Sequence, residues 1–111
     1  MAVVAKLRYQ RLSPQKARLV ADIVRGQNAL QALSVLRFTN KKAATYIEKT
    51  LKSAIANAEH NFGMDPDKLF VSRILIDKGP VLKRVNPRAM GRADIMRKPT
   101  AHITVEVSER N

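Results

Sequence analysis

Residues 79–102 read GPVLKRVNPRAMGRADIMRKPTAH, and this stretch decides the fold because it separates two segments with strand patterns. It holds six Lys or Arg residues and a single acid, Asp94. The segment before it, LFVSRILID, is β-branched and apolar, while the final HITVEVS alternates apolar and polar residues. This predicts two antiparallel strands joined by about 22 residues, whereas hairpin loops usually have about two to five.

A long hairpin arm explains this connection better than a disordered basic loop. Five apolar residues are interleaved with the charges, namely Val81, Leu82, Val85, Ile95 and Met96. A turn near Met90 and Gly91 would extend the two flanking strands in register and pair Ile76 with Val105. Because a two-stranded ribbon with like charges and three prolines is marginal in water, we expect a polyanion to order it.

The first part of the chain predicts one strand and one helix. Alternation from Val3 to Tyr9 predicts a strand whose odd-numbered residues, Tyr9 included, face the core. The segment SPQKARLVADIVRG predicts a helix from Pro14 to Arg25, with Ser13 as its N-cap and Gly26 as its left-handed stop. Its basic residues fall outside its apolar stripe, which separates a core face from a basic face.

Two further helices follow. Asn28 is a plausible cap for the second, and Leu30, Leu33 and Leu36 are expected on its inner face. The third is expected to begin after Asn40 and to end at about Glu59. Its apolar stripe is rich in small residues and consists of Ala44, Ile47, Leu51, Ala54, Ile55 and Ala58.

The element order β-α-α-α-β-β predicts an α+β fold. Three helices pack on a small three-stranded antiparallel sheet, and a long β-hairpin arm protrudes from it. A chain of 111 residues has the length of one domain. We therefore expect a single domain over 1–111, with a globular body of 1–78 and 101–111 and an arm of 79–100.

The charge of the chain points to a polyanionic partner. Lys and Arg number 21 against nine acids, which gives a net charge of +12. No apolar run reaches the roughly 20 residues of a membrane span, and MAVVAKLRYQ lacks the charged-then-apolar order of a signal peptide. We expect a soluble cytoplasmic protein without a membrane span. Without Cys and with two His residues, no disulfide, metal or cofactor is expected.

Nucleic-acid binding is favoured over catalysis. The sequence has no P-loop, no dinucleotide-binding glycine motif and no recognisable nucleophile and base, so no catalytic residue and no enzyme activity are predicted. The few aromatic residues do not form a strand-borne stacking array, which favours recognition of shape and backbone. An alternative is a nucleoid-type architectural DNA-binding protein, whose basic β-arms carry a proline near the tip, as Pro87 would be.

Five motifs in order carry a resemblance to a known family. SPQKARLVADIVRG, TNKKAA, SAIANAEHN, DKGPVLKRVNPRAMGRAD and HITVEVS resemble the bacterial form of the large-subunit ribosomal protein family L-twenty-two, over nearly the whole chain. The resemblance implies a cytoplasmic structural constituent of the large ribosomal subunit that binds large-subunit rRNA and supports early assembly. It also implies a body near the peptide exit and a hairpin lining the nascent-peptide exit tunnel, close to the macrolide site.

The resemblance also assigns residues and partners. Leu82, Lys83 and Arg84 match the macrolide-sensitivity segment. The tunnel-lining tip matches Arg88, Ala89, Met90, Gly91, Arg92 and Ala93. The candidate rRNA-binding residues are Lys6, Arg8, Arg11, Lys16, Arg18, Arg25, Lys41, Lys42, Lys78, Lys83, Arg84, Arg88, Arg92, Arg97 and Lys98. The implied partners are large-subunit rRNA, neighbouring large-subunit ribosomal proteins and the nascent peptide, with the chain as a monomer within the ribosome.

Overall fold

The element order agrees with the α+β prediction. The structure, a computed structural model, describes the backbone of residues 2–87 and 93–109 and the side chains of 2–81 and 98–109. Its elements are β1 (Ala2–Gln10), α1 (Pro14–Val24), α2 (Ala29–Phe38), α3 (Lys42–Phe62), β2 (Leu69–Lys78), β3 (Leu82–Pro87), β4 (Ala93–Lys98) and β5 (Ala101–Glu109). A short 3₁₀ turn, Pro66–Lys68, precedes β2.

The described strands form two antiparallel sheets. One sheet has three strands in the order β1-β5-β2, and the other consists of β3 and β4 alone. In the two-stranded sheet, Leu82 pairs with Lys98 and Pro87 pairs with Ala93. The molecule measures 65 × 25 × 16 Å along its principal axes. This elongation fits the predicted arm on a three-stranded body.

The core lies between one face of the three-stranded sheet and the helices. Ile103, Val105 and Val107 of the central strand β5 are fully buried, as the alternation of HITVEVS predicts. The whole predicted stripe of α3 is buried against this face, and its alanines allow close approach of helix and sheet. The sequence pattern therefore located both halves of the core correctly.

Two glycines set the ends of helices. Gly26, with φ +84°, follows the end of α1 as predicted. Gly63, with φ +63°, caps α3, and its N–H donates to the carbonyls of Ala58 and Glu59. Because this left-handed stop lies after Phe62, α3 is almost one turn longer than predicted. None of the helices in 2–87 and 93–109 has the length and apolarity needed to cross a membrane.

The predicted inner face of α2 is partly wrong. Leu36 is buried and Leu33 packs partly against the core, but Leu30 is 40% exposed. Ala29 and Ala32 occupy the inner positions instead. The reason is geometric, because a spacing of three residues falls about 60° short of a full turn at each step. The spacing of Ala29, Ala32 and Leu36 follows the helix period more closely.

The predicted pairing of β2 with β5 is wrong by two residues. Ile76 lies opposite Ile103 rather than Val105. A shift of two leaves every side chain on the same face, so alternation cannot distinguish the two registers. The register also changes by one residue between the β2–β5 pair and the β3–β4 pair. Lys78 pairs with Ala101, whereas Leu82 pairs with Lys98. The predicted turn near residues 90 and 91 lies outside the described residues.

The N-caps of α1 and α2 differ in their hydrogen bonds, and this difference can be tested by matched substitutions. The Asn28 side chain accepts hydrogen bonds from the N–H groups of Leu30 and Gln31 and donates one to the Asp67 carbonyl. Ser13 has the N-cap position of α1 but makes no side-chain cap bond. We expect Asn28→Ala to lower the free energy of unfolding by about 1–2 kcal/mol. We expect Ser13→Ala to change it by less than about 0.5 kcal/mol.

Urea unfolding of both variants measures this difference. A lower midpoint with an unchanged slope for Asn28→Ala reports lost stability rather than a changed unfolded state. Equal midpoint shifts in the two variants would contradict the different roles of the two caps.

Candidate nucleic-acid interface

Five of the candidate rRNA-binding cations lie on one surface, at the place where the arm joins the body. Arg11, Lys16, Lys41 and Lys42 line a groove of 660 Å³ whose apolar floor includes Leu12, Ala43 and Pro99. A neighbouring cavity shares Arg11, Lys42 and Pro99 and adds Lys98. We call the surface formed by Arg11, Lys16, Lys41, Lys42 and Lys98 the basic groove. Residues far apart in the chain therefore produce one positive surface.

Two helix N-termini face the basic groove. Ser13 precedes α1 and lines the groove, and Lys41 and Lys42 form the start of α3. Neither helix, both within the described residues, has a side-chain cap bond or an acid in its first turn. Helix N-termini carry partial positive charge and unsatisfied N–H groups. Their combination with the groove cations makes this surface suited to anions such as phosphates.

The ion pairs among the described side chains do not neutralise the basic groove. Arg25 pairs with Asp22, and Glu48 lies 3.2 Å from Lys52 and 4.0 Å from Arg37. All three pairs lie outside the groove. The groove cations therefore remain available to an external anion, and repulsion among them would be relieved by binding one.

A second basic surface lies on the outer face of the three-stranded sheet. Lys6 and Arg8 are exposed there and line a cavity of 240 Å³ with Tyr9, Asp77 and His102. The side chains that point to this face alternate with the core residues of the same strands, as the sequence pattern predicts. This surface thus presents two cations beside an aromatic pair.

Tyr9 is not a core residue, contrary to the prediction. It is 64% exposed and has φ +59°, a conformation that is uncommon for a residue other than glycine. The pairing of β1 with β5 is irregular between Leu7 and Gln10, which breaks the alternation at Tyr9. Its N–H donates to Nδ1 of His102 at 3.1 Å, and the two rings meet edge to face with centroids 4.7 Å apart.

Two further candidate residues, Arg18 and Arg25, bind the edge of β2. Arg18 donates to the Ile76 carbonyl, with its nearer nitrogen at 3.0 Å, and Arg25 donates to the Ile74 carbonyl at 2.9 Å. The carbonyls at a free strand edge can pair with another chain. Because these two guanidinium groups bind such carbonyls, they are part of the fold. Any contact with a nucleic acid must use their remaining donors.

The comparison with known proteins decides the family. The family model described as ribosomal protein L22p/L17e matches residues 5–108. The chain belongs to this family. It is also 70% identical over 109 residues to large ribosomal subunit protein uL22 of Fusobacterium nucleatum subsp. nucleatum, with 98% of each chain covered. The predicted resemblance to the bacterial form of the L22 family is confirmed. A ribosomal protein is therefore favoured over the alternative of a nucleoid-type DNA-binding protein.

The remaining candidate residues lie in the arm of this L22-family chain and at the adjoining end of β2. Leu82, Lys83 and Arg84 lie in β3, and Arg97 lies in β4, where the structure describes the backbone. Lys78 is exposed at the end of β2, and Ala93 is the first residue of β4. The tip residues Arg88, Ala89, Met90, Gly91 and Arg92 lie outside the described residues.

A close contact joins the arm to the body. The Gly79 N–H donates to the Thr100 carbonyl at 2.9 Å, and the Thr100 hydroxyl donates to the Pro80 carbonyl. Thr100 is only 2% exposed, and a Cβ at position 79 would collide with its hydroxyl oxygen. We call Gly79, Pro80 and Thr100 the arm clasp. It fixes the two chain segments at the point where they leave the sheet.

Phe38 lies beside the basic groove but is not among the residues that the sequence predicts for binding. It ends α2 and is 83% exposed, and it lines a cavity of 530 Å³ together with Lys41 and Lys42 of the basic groove. The available signal was its position directly before the basic motif TNKKAA. The sequence does not show that Phe38 is exposed, because an apolar residue on an amphipathic helix usually faces the core.

Proposed function

We propose that this L22-family protein binds large-subunit rRNA mainly through the basic groove. Membership of the family makes it a structural protein of the large ribosomal subunit, in the cytoplasm. The observation that carries the proposal is the convergence of five cations and two helix N-termini, without side-chain caps, on one groove beside the arm. Lys6 and Arg8 extend this interface to the outer face of the sheet.

Binding at this interface is mainly electrostatic and directed at the RNA backbone. Lys and Arg side chains that neutralise phosphates release bound counterions, so affinity falls as salt concentration rises. Phosphate contacts position a protein on RNA without reading its sequence. Selectivity for one rRNA region then comes from the shape that fits the groove and the arm together.

The arm is the second part of the proposal. It lines the nascent-peptide exit tunnel close to the macrolide site, with Leu82, Lys83 and Arg84 in the macrolide-sensitivity segment and the tip at residues 88–93. The body lies near the peptide exit, beside neighbouring large-subunit proteins, and the chain supports early assembly. Support comes from β3 and β4, which pair with each other and with no other described strand. The arm that contains them also carries a strong positive charge. Surrounding RNA supplies the packing that such a ribbon lacks.

The chain forms one rRNA-binding domain without catalytic activity. The body comprises 1–78 and 101–111, and the arm comprises 79–100. The chain acts as a monomer within the ribosome, and the Lys and Arg side chains of the basic groove serve binding.

Sedimentation of cell extract tests this function. The chain, detected by antibody at moderate salt, is expected to migrate with large ribosomal subunits and to remain there after DNase treatment. RNase treatment should release it, because the RNA supplies the binding surface. Recovery with chromosomal DNA, and absence from ribosomal fractions, would contradict the proposal.

A further inference from the structure

Phe38 is the most exposed large apolar side chain among the described residues, at 83%. It extends from the C-terminal end of α2, and Thr39 follows it as the C-cap. Single apolar residues scattered over a surface are common and require no explanation. The surroundings of Phe38 are what distinguish it.

The backbone around Phe38 is held in place. The Thr39 N–H donates to the Leu36 carbonyl at 3.2 Å, and its hydroxyl donates to the Val35 carbonyl at 2.7 Å. The Lys41 N–H then donates to the Thr39 carbonyl at 2.9 Å. The aromatic ring is therefore presented from an ordered turn, which reduces the entropy lost when a partner binds.

The surface around the ring is polar and cationic. Phe38 shares its cavity with Arg37, Thr39, Asn40, Lys41, Lys42 and Thr45. This lining has three cations, no carboxylate and no second apolar side chain. Among the described side chains, the one ion pair of the Arg37 guanidinium is a long contact of 4.0 Å from its Nε to Glu48.

Such a surface suits an unpaired nucleotide better than a protein. The core of a protein interface usually combines several apolar side chains and is poor in charge. A nucleotide offers one flat base for the ring and a phosphate for each neighbouring cation. The match in both shape and charge favours RNA.

We propose that Phe38 stacks on an unpaired base of the large-subunit rRNA, while Arg37, Lys41 and Lys42 bind the phosphates on either side. This inference rests on the proposed function and adds to it a base contact at the edge of the basic groove. Stacking on an aromatic ring is strong but tolerant of base identity. Phe38 therefore selects an unstacked nucleotide rather than a particular sequence.

Replacing Phe38 by leucine tests the proposal, because leucine keeps apolar bulk but removes the aromatic face. The probe is the large-subunit rRNA transcript, and the dissociation constant is measured over a series of salt concentrations. We expect Phe38→Leu to raise the dissociation constant by about tenfold at every salt concentration. The salt slope stays that of the wild type, because stacking involves no counterions. Phe38→Tyr should retain wild-type affinity.

Phe62→Leu is the matched control. Phe62 is 49% exposed and lies at the other end of α3, on the order of 30 Å from the groove. We expect it to bind rRNA like the wild type. Thermal unfolding of all variants verifies that each is folded.

The possible outcomes separate this inference from the function on which it rests. If the wild type fails to bind rRNA, the proposed function fails, and the inference with it. If the wild type binds and Phe38→Leu binds equally well, or if its salt slope falls by about one, stacking at Phe38 is overturned alone. Photo-reactive benzoylphenylalanine at position 38 should crosslink to an unpaired rRNA nucleotide in assembled subunits. Crosslinking to a neighbouring protein instead would overturn the inference in favour of a protein contact.

Discussion

Replacing Gly79 by alanine should lower the free energy of unfolding by about 1–3 kcal/mol, the usual cost of overpacking a tight site. The added Cβ would collide with the Thr100 hydroxyl oxygen and lie 3.3 Å from Nε2 of His102. Thr100 cannot move away easily, since it is β-branched, buried and bound to the Pro80 carbonyl. The clash acts at the arm clasp, so the change should also loosen the junction between arm and body.

Double substitution distinguishes this clash from a general defect. Thr100→Ala removes the oxygen that the new Cβ would meet, at the cost of about 1 kcal/mol for the hydroxyl bond. Gly79→Ala with Thr100→Ala should therefore lose less stability than the sum of the single changes. Thr104→Ala, on the outer face of β5, is the control and should show additive losses with Gly79→Ala. Additive losses with Thr100→Ala as well would contradict the clasp geometry.

Neutralising the basic groove should have the largest effect on RNA binding. The variant carries Arg11→Gln, Lys16→Gln, Lys41→Gln and Lys42→Gln. If each cation meets one phosphate, the slope of log affinity against log salt falls by about three, and affinity near physiological salt falls by about a hundredfold or more. These four side chains are exposed, so the thermal unfolding midpoint should change little.

A variant with the same net charge shows whether position matters. It carries glutamine at four exposed cations outside the candidate set, namely Lys49, Lys52, Lys68 and Arg73. General attraction between a positive protein and RNA would weaken both variants equally. We expect the control variant to lose less than about tenfold in affinity. Equal losses would mean that the groove is not the principal binding site.

Local sequence signals were sufficient for most of the fold. The alternation in HITVEVS and the helical spacing from Ala44 to Ala58 each identify a buried face without ambiguity. Gly26 and Asn28 gave the boundary between α1 and α2, because each has a specific backbone role. The errors arose where a pattern permits more than one solution. Alternation does not resolve a two-residue shift of β2 against β5.

The candidate site was less predictable than the fold. Charge and motif identified Arg11, Lys16 and Lys42 one by one, but their meeting in a single groove depends on helix packing, which no local pattern specifies. The positive φ of Tyr9 likewise arises from irregular pairing with β5. Arg18 and Arg25 look like other surface cations in the sequence, although their carbonyl partners on β2 make them part of the fold.

The most direct test of the central claim is an electron-microscopy structure of large ribosomal subunits purified from cells that make this protein. Binding through the basic groove predicts rRNA phosphates within about 3 Å of the Arg11, Lys41 and Lys42 side chains. An unpaired base should lie flat against Phe38 in the same map. A basic groove that faces solvent or a protein, with rRNA bound elsewhere on the body, would contradict the claim.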